Sequence, residues 1–134
     1  VSVTPLTNIS VDDAALALVL PNATDYLFSG QSDFTDLITE VKREVHGRIR
    51  DEYDYTETEM ANIKDLDPEK NLYYIIIYLT LSHIFLSNGL EERAVHYRAL
   101  ADGRSTKHYY DSDDDDAYDE GEEQTFKQFT TFSR

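Results

Sequence analysis

The sequence predicts an all-α fold: a small helical bundle of about four helices around a central buried helix, with an extended acidic C-terminal tail. Three observations predict it. The stretch NLYYIIIYLTLSHIFLSN, residues 71–88, is apolar enough to be buried on nearly every side. A second stretch, opening at Asp33, places Phe34, Leu37, Ile38, Val41, Val45 and Ile49 at spacings of three and four, the period of a helix with one apolar face. Beyond Arg104 the chain holds no Leu, Ile, Val or Met, so that segment lacks the side chains needed for a core of its own. The expected organisation is a helical domain over residues 1–103 and an acidic, aromatic tail over 104–134.

The first helix is expected near residues 10–20. Ser10 can cap it, Asp12 and Asp13 occupy its first turn, and AALALVL follows before Pro21 breaks it. The segment PNATDYLFSGQS then reads as a loop, although Tyr26, Leu27 and Phe28 are apolar enough to pack. The second helix spans about 33–52, with Glu40, Lys42, Arg43, Glu44, Arg48 and Arg50 mostly off its apolar stripe. Gly47 costs it about 1 kcal/mol relative to alanine. From Tyr53 to Asp67 no period is sustained, and the reading is a loop with an extended piece around Tyr53–Thr58.

The central helix is expected over about 68–88. Its triple isoleucine and its tyrosines would suit a strand, but the run is far longer than the typical five or six residues of one. Asp67-Pro68 supplies an N-cap followed by proline at the first helical position, and Gly89 follows the last apolar turn as a left-handed stop. The fifteen residues Leu72–Leu86 fall short of the roughly 20 that a membrane span needs, and they include Thr80, Ser82 and His83. A fourth helix is expected over about 90–102, with Leu90, Ala94, Val95, Tyr97, Arg98 and Ala101 sharing a broad face and Gly103 ending it.

At 134 residues and 40% hydrophobic, the chain can bury one core. The absence of cysteine excludes disulfides and thiolate metal sites and fits a cytosolic protein. The opening VSVTPLTNIS has no basic segment followed by an apolar run, so it does not read as a signal peptide. The net charge of −15 is unevenly spread: residues 68–110 carry +1 and residues 111–134 carry −7. Phosphate neutralisation needs clustered Lys and Arg, so a polyanion of this kind is not expected to bind nucleic acid.

The sharpest local motif is DSDDDDAYDEGE, residues 111–122. It puts Asp111, Asp113, Asp115, Asp119 and Glu122 at positions 1, 3, 5, 9 and 12, the spacing from which an EF-hand loop brings oxygen ligands onto one calcium ion. Position 6, where the sharp turn needs glycine, is Asp116, and no amphipathic helix enters the motif; the alternative reading is a solvated acidic run. His46, His83, His96 and His108 show no metal-ligand spacing and no catalytic order with serine or carboxylate, so no catalytic activity is expected. His83 reads as a hydrogen-bonded core or interface residue. Tyr73, Tyr74 and Tyr78 read as amphipathic packing residues facing a neighbouring subunit. Phe126, Phe129 and Phe132, spaced by three, are the expected partner-binding anchors of the tail.

The order of parts, DLITEVKREVHGRIRDEY, a loop to DPEKNLYYIIIYLTLSHIFL, then EERAVHYRALADGR and an acidic tail, resembles tailed-phage head-to-tail connector proteins, also called adaptor or head-completion proteins. The resemblance covers about residues 33–103. It implies a structural virion protein of the head-tail neck, made in the host cytoplasm, whose subunits form a homo-oligomeric ring, commonly dodecameric. That ring joins the portal protein to a tail-completion or stopper protein, and DNA passes through it without specific binding. No membrane and no cofactor are implied, calcium aside. Two other classes stay open on the residues alone: an acidic DNA-mimic inhibitor of a nucleic-acid-binding protein, and a calcium-responsive binding module.

Overall fold

The computed structural model describes residues 6–27, 31–65, 70–104, 108–110 and 123–124, with Tyr109, Tyr110, Glu123 and Gln124 as backbone. Helices dominate, so the all-α class holds, and each of the four expected helices is present. Helix α1 is Asp13–Val19. Asp12, in extended conformation directly before it, accepts from the Ala15 N–H at 2.9 Å, so Asp12 and not Ser10 is its cap. The Asp13 carboxylate accepts from the Phe34 N–H at 3.1 and 3.3 Å, which ties α1 to the start of the next long helix. A 3-10 turn, Ala23–Tyr26, lies between them.

Helix α2, Thr35–Tyr53, buries Ile38, Val41, Val45 and Ile49 from its apolar stripe and stops at Asp54, which takes a left-handed φ of 57°. Where an extended piece was expected around Tyr53–Thr58, the chain instead forms the one-turn helix α3, Glu57–Met60. A capping box causes this: Thr56 accepts from the Glu59 N–H, and the Glu59 carboxylate accepts from the Thr56 N–H at 2.8 Å. The extended segment comes later, as strand β1, Ile63–Asp65.

Helix α4, Asn71–Ser87, is the centre of the molecule. Leu72, Ile75, Ile76, Ile77, Leu79 and Leu81 have no exposed surface, and each such burial stabilises the fold by about 1.5–3 kcal/mol. The expected Asp67-Pro68 cap lies outside the described residues. Asp65, at the end of β1, accepts from the N–H groups of Leu72 and Tyr73 at 2.9 and 2.8 Å, so two of the orphan donors of α4 are met by a carboxylate from another element. At the other end Gly89 takes a φ of 75°, the left-handed stop expected of it.

Helix α5, Glu91–Asp102, turns back along α4 and packs on it more extensively than any other element does. Ala94 and Ala101 are the buried residues of α5 and allow close approach, and Ser82 Oγ donates to the Ala94 carbonyl at 2.8 Å. Strand β2, His108–Tyr110, pairs antiparallel with β1, placing Tyr110 opposite Ile63 and His108 opposite Asp65. Strand β3, Glu123–Gln124, pairs antiparallel with β2, with Gln124 opposite His108. Both strands come from the stretch expected as tail. Backbone pairing supplies the order that its side chains alone would not.

Candidate functional site

His46, on α2, is 8% exposed and fully engaged. The Leu6 N–H donates to its Nδ1 at 3.2 Å, so in the neutral ring the proton sits on Nε2, which faces Glu57 Oε2 at 3.0 Å. Arg50 Nη1 donates to the other oxygen of Glu57 at 2.8 Å. The Arg50 and His46 contacts hold the Glu57 carboxyl below its ordinary range. Among the described residues no hydroxyl nucleophile is hydrogen-bonded to this arrangement. Its effect is to join the amino-terminal segment, α2 and α3.

His108 is completely buried although the sequence placed it in the tail. Its Nε2 lies 3.2 Å from the Tyr55 hydroxyl, and its ring meets Tyr53 edge-on at 4.7 Å. His83 is half-buried on α4, with Glu44 3.7 Å away; Arg98 of α5 reaches the other oxygen of Glu44 at 3.5 Å. Glu44 is held below the ordinary carboxylate range, first by His83 and then, against the effect of burial, by Arg98. Asp102, at the end of α5, is shifted the other way by burial, with Arg98 and Arg48 opposing. Glu44 of α2 thus links α4 and α5 through His83 and Arg98, and His108 ties β2 to the end of α2 and the residue after it.

Tyr74 and Tyr78 turn toward α5 and the elements beside it. Tyr78 stacks on Tyr97 at 6.3 Å, Tyr97 on Phe85 at 5.5 Å, and Tyr26 meets Phe85 edge-on at 5.0 Å. Tyr74 stacks on Tyr78 at 6.1 Å, Arg104 lies over Tyr74 at 4.9 Å, and Arg93 lies over Phe85 at 5.5 Å. A cleft of about 280 Å³ lies beside Asn8, Lys64, Asp65, Lys70 and Tyr73. Its polar groups serve the fold: Asp65 caps α4, and Asn8 donates to the carbonyls of Ala61 and Ile63 at 2.7 and 3.1 Å.

The candidate calcium ligands Asp111, Asp113, Asp115, Asp119 and Glu122, and the candidate anchors Phe126, Phe129 and Phe132, lie outside the described residues. Among the described residues no group of three or more His, Asp or Glu is placed to hold a metal ion, and no helix is long and apolar enough to cross a membrane.

What the described surface offers is an apolar stretch on an acidic body. Of the five large hydrophobic residues left exposed among the described residues, Leu86, Leu90, Val95 and Leu100 belong to the end of α4, the following turn and α5. Val95, expected on the inward face with Ala94 and Ala101, is 68% exposed. The two small alanines are the ones that fit against α4, and at 100° per residue this turns Val95 outward together with His96 and Ala99. Exposed carboxylates flank α2: Asp33, Asp36 and Glu40 at its start, and Asp51, Glu52 and Asp54 at its end. This contrast was legible in the sequence only as a neutral segment within an acidic chain. No family model, curated protein or solved structure matches the chain.

Proposed function

We propose that the protein is a structural, ring-forming head-to-tail adaptor of a tailed-phage virion, joining the portal to the tail or to tail-completion proteins and lining the DNA channel. The observation that carries this reading is the nearly neutral α4–α5 hairpin with its exposed Leu86, Leu90, Val95 and Leu100 on a chain of net charge −15. Copies of a polyanion repel one another, so they associate where charge is absent and apolar surface is present. A ring requires head-to-tail contacts between two different surfaces, and the exposed aliphatic side chains of the hairpin suit one of them. The carboxylates of α2 suit a channel wall, because they repel phosphate and leave the moving genome nothing to adhere to. The polar clusters of the interior are spent on joining elements, which fits a structural part better than a catalyst.

The test is light scattering and negative-stain imaging of the purified protein, alone and mixed with a portal ring. Closed rings, alone or on the portal, are the expected result. A protein that stays monomeric up to high concentration and never binds portal would refute the adaptor reading; if it instead bound a basic nuclease or repressor one to one, the DNA-mimic class would take its place.

A further inference from the structure

The turn that joins α4 to α5 reads Ser87-Asn88-Gly89-Leu90, and all four residues are exposed. The chain has five asparagines, and Asn88 alone is followed by glycine; Asn8, Asn22, Asn62 and Asn71 precede Ile9, Ala23, Ile63 and Leu72. That difference is chemical. A backbone nitrogen can attack the side-chain carbonyl carbon of the asparagine before it, and a side chain on the attacking residue hinders the approach, whereas glycine leaves it open. The folded turn opposes the attack. Asn88 Nδ2 donates to the Ile84 carbonyl at 2.8 Å and the Gly89 N–H donates to the Leu86 carbonyl at 3.1 Å, so both reacting groups are engaged with α4. The Leu90 N–H, bonded to the Phe85 carbonyl at 2.8 Å, closes the turn around them.

We propose that Asn88 is a self-modification site held shut by the α4–α5 turn, converting to aspartate or isoaspartate when the turn opens. The Gly89 nitrogen gives its proton to hydroxide and attacks the Asn88 side-chain carbonyl carbon. The new C–N bond closes a succinimide ring, and the side-chain nitrogen takes up a proton from water and leaves as ammonia. One water then opens the ring at either carbonyl, giving aspartate or its isomer with the main chain running through the side-chain carboxyl. Nothing is oxidised or reduced, and water is the co-reactant. The product does not restore the closed turn. Where Nδ2 donated to Ile84, a carboxylate now faces that carbonyl and the negative end of the α4 dipole, and both repel it. Conversion therefore runs one way. The new charge falls between the exposed Leu86 and Leu90 of a chain already at −15, so on the adaptor reading modified subunits associate less through the hairpin. The chemistry itself rests on the turn alone.

The test is to incubate full-length protein in mildly alkaline buffer, native and unfolded in urea, and to locate the converted asparagines by peptide mass spectrometry. In urea Asn88 should convert well ahead of Asn62 and Asn71, which precede bulky aliphatic residues. In the native protein its conversion should be slower by at least about ten-fold, because only the small open fraction of the turn can react. Asn88→Asp, which carries the product's carboxylate from the start, should lower the urea midpoint at pH 7. At pH 3.5 the midpoint should recover, since a carboxyl destabilised by the helix end has a raised folded pKa, and its protonated form can again donate to the Ile84 carbonyl. No lead for Asn88 over Asn62 and Asn71 in urea would overturn the assignment of the site. Equal rates in native and unfolded protein would overturn the guarding turn, and an unchanged midpoint for Asn88→Asp would overturn the one-way step. None of these measurements involves portal or ring formation, so their failure leaves the adaptor reading intact, and monomeric behaviour without portal binding leaves this inference intact.

Discussion

Asp102 combines three unfavourable circumstances. It ends α5, where the helix dipole disfavours negative charge; its Oδ1 is buried with no hydrogen-bond partner among the described residues; and burial raises its pKa. A carboxyl whose folded pKa lies above its unfolded value stabilises the fold below about pH 4 and loses that contribution as pH rises through the folded value. Asp102→Asn should therefore stabilise the protein near neutral pH, by about 0.3–1 kcal/mol after allowance for solvent screening, and the gain should shrink below pH 4. Glu44 has the opposite sign. Its lowered pKa gives stability that is present above its unfolded value and is lost as pH falls through the folded one, so Glu44→Gln should destabilise at neutral pH and become harmless in acid. Urea titrations of both variants at pH 7 and pH 3.5 check the two signs; a gain from Asp102→Asn that is larger in acid would contradict this account. His46→Ala should cost about 1–3 kcal/mol, because it leaves the buried Leu6 N–H without its acceptor.

At the level of elements, α4 decides whether the molecule folds. Replacing Ile76 or Leu79 by aspartate puts an unpaired charge where no surface is exposed, at a cost of several kcal/mol against a total stability of about 5–15. Both variants should lose their helical circular dichroism, and soluble helical protein from either would mean that α4 is not the core. Asp65→Ala tests the start of the same helix. Removing the carboxylate that serves Leu72 and Tyr73 should cost about 1–2 kcal/mol and leave a folded protein with a lower thermal midpoint. Among the described helices, α4 and α2 were the most legible, since one is an apolar run of helical length and the other a clean period of three and four. α3 was missed because a single turn shows no period; the Thr56 and Glu59 spacing was the available signal.

For the whole molecule, the balance is between a charge of −15 and the apolar surface of the α4–α5 hairpin. Repulsion between copies reaches over a Debye length, about 30 Å at 0.01 M salt and about 10 Å at 0.1 M, whereas apolar contact is not weakened by moderate salt. Self-association measured by light scattering should therefore strengthen as salt rises from 0.01 to 0.2 M. Val95→Asp should reduce it at every salt concentration while leaving the monomer folded, because Val95 is 68% exposed. Association that weakens with salt would place the contact on opposite charges instead.

The sequence by itself determined the helical class, the order of the four main helices, the centrality of α4, the Gly89 stop and the separation of a neutral hairpin from acidic flanks. These are properties of residues near one another in the chain, and helical period, caps and charge runs express them directly. Only the tertiary structure decided that Asp65 caps α4, that His46 holds Leu6 across 40 positions, that Tyr55 meets His108 across 53, and that Val95 faces outward while Ala94 faces in. Those outcomes depend on which surfaces meet when the helices pack. A polar side chain on an irregular segment carries no local mark of the distant donor it will serve, and a short strand such as β2 is ordered by the edge it pairs with more than by its own composition.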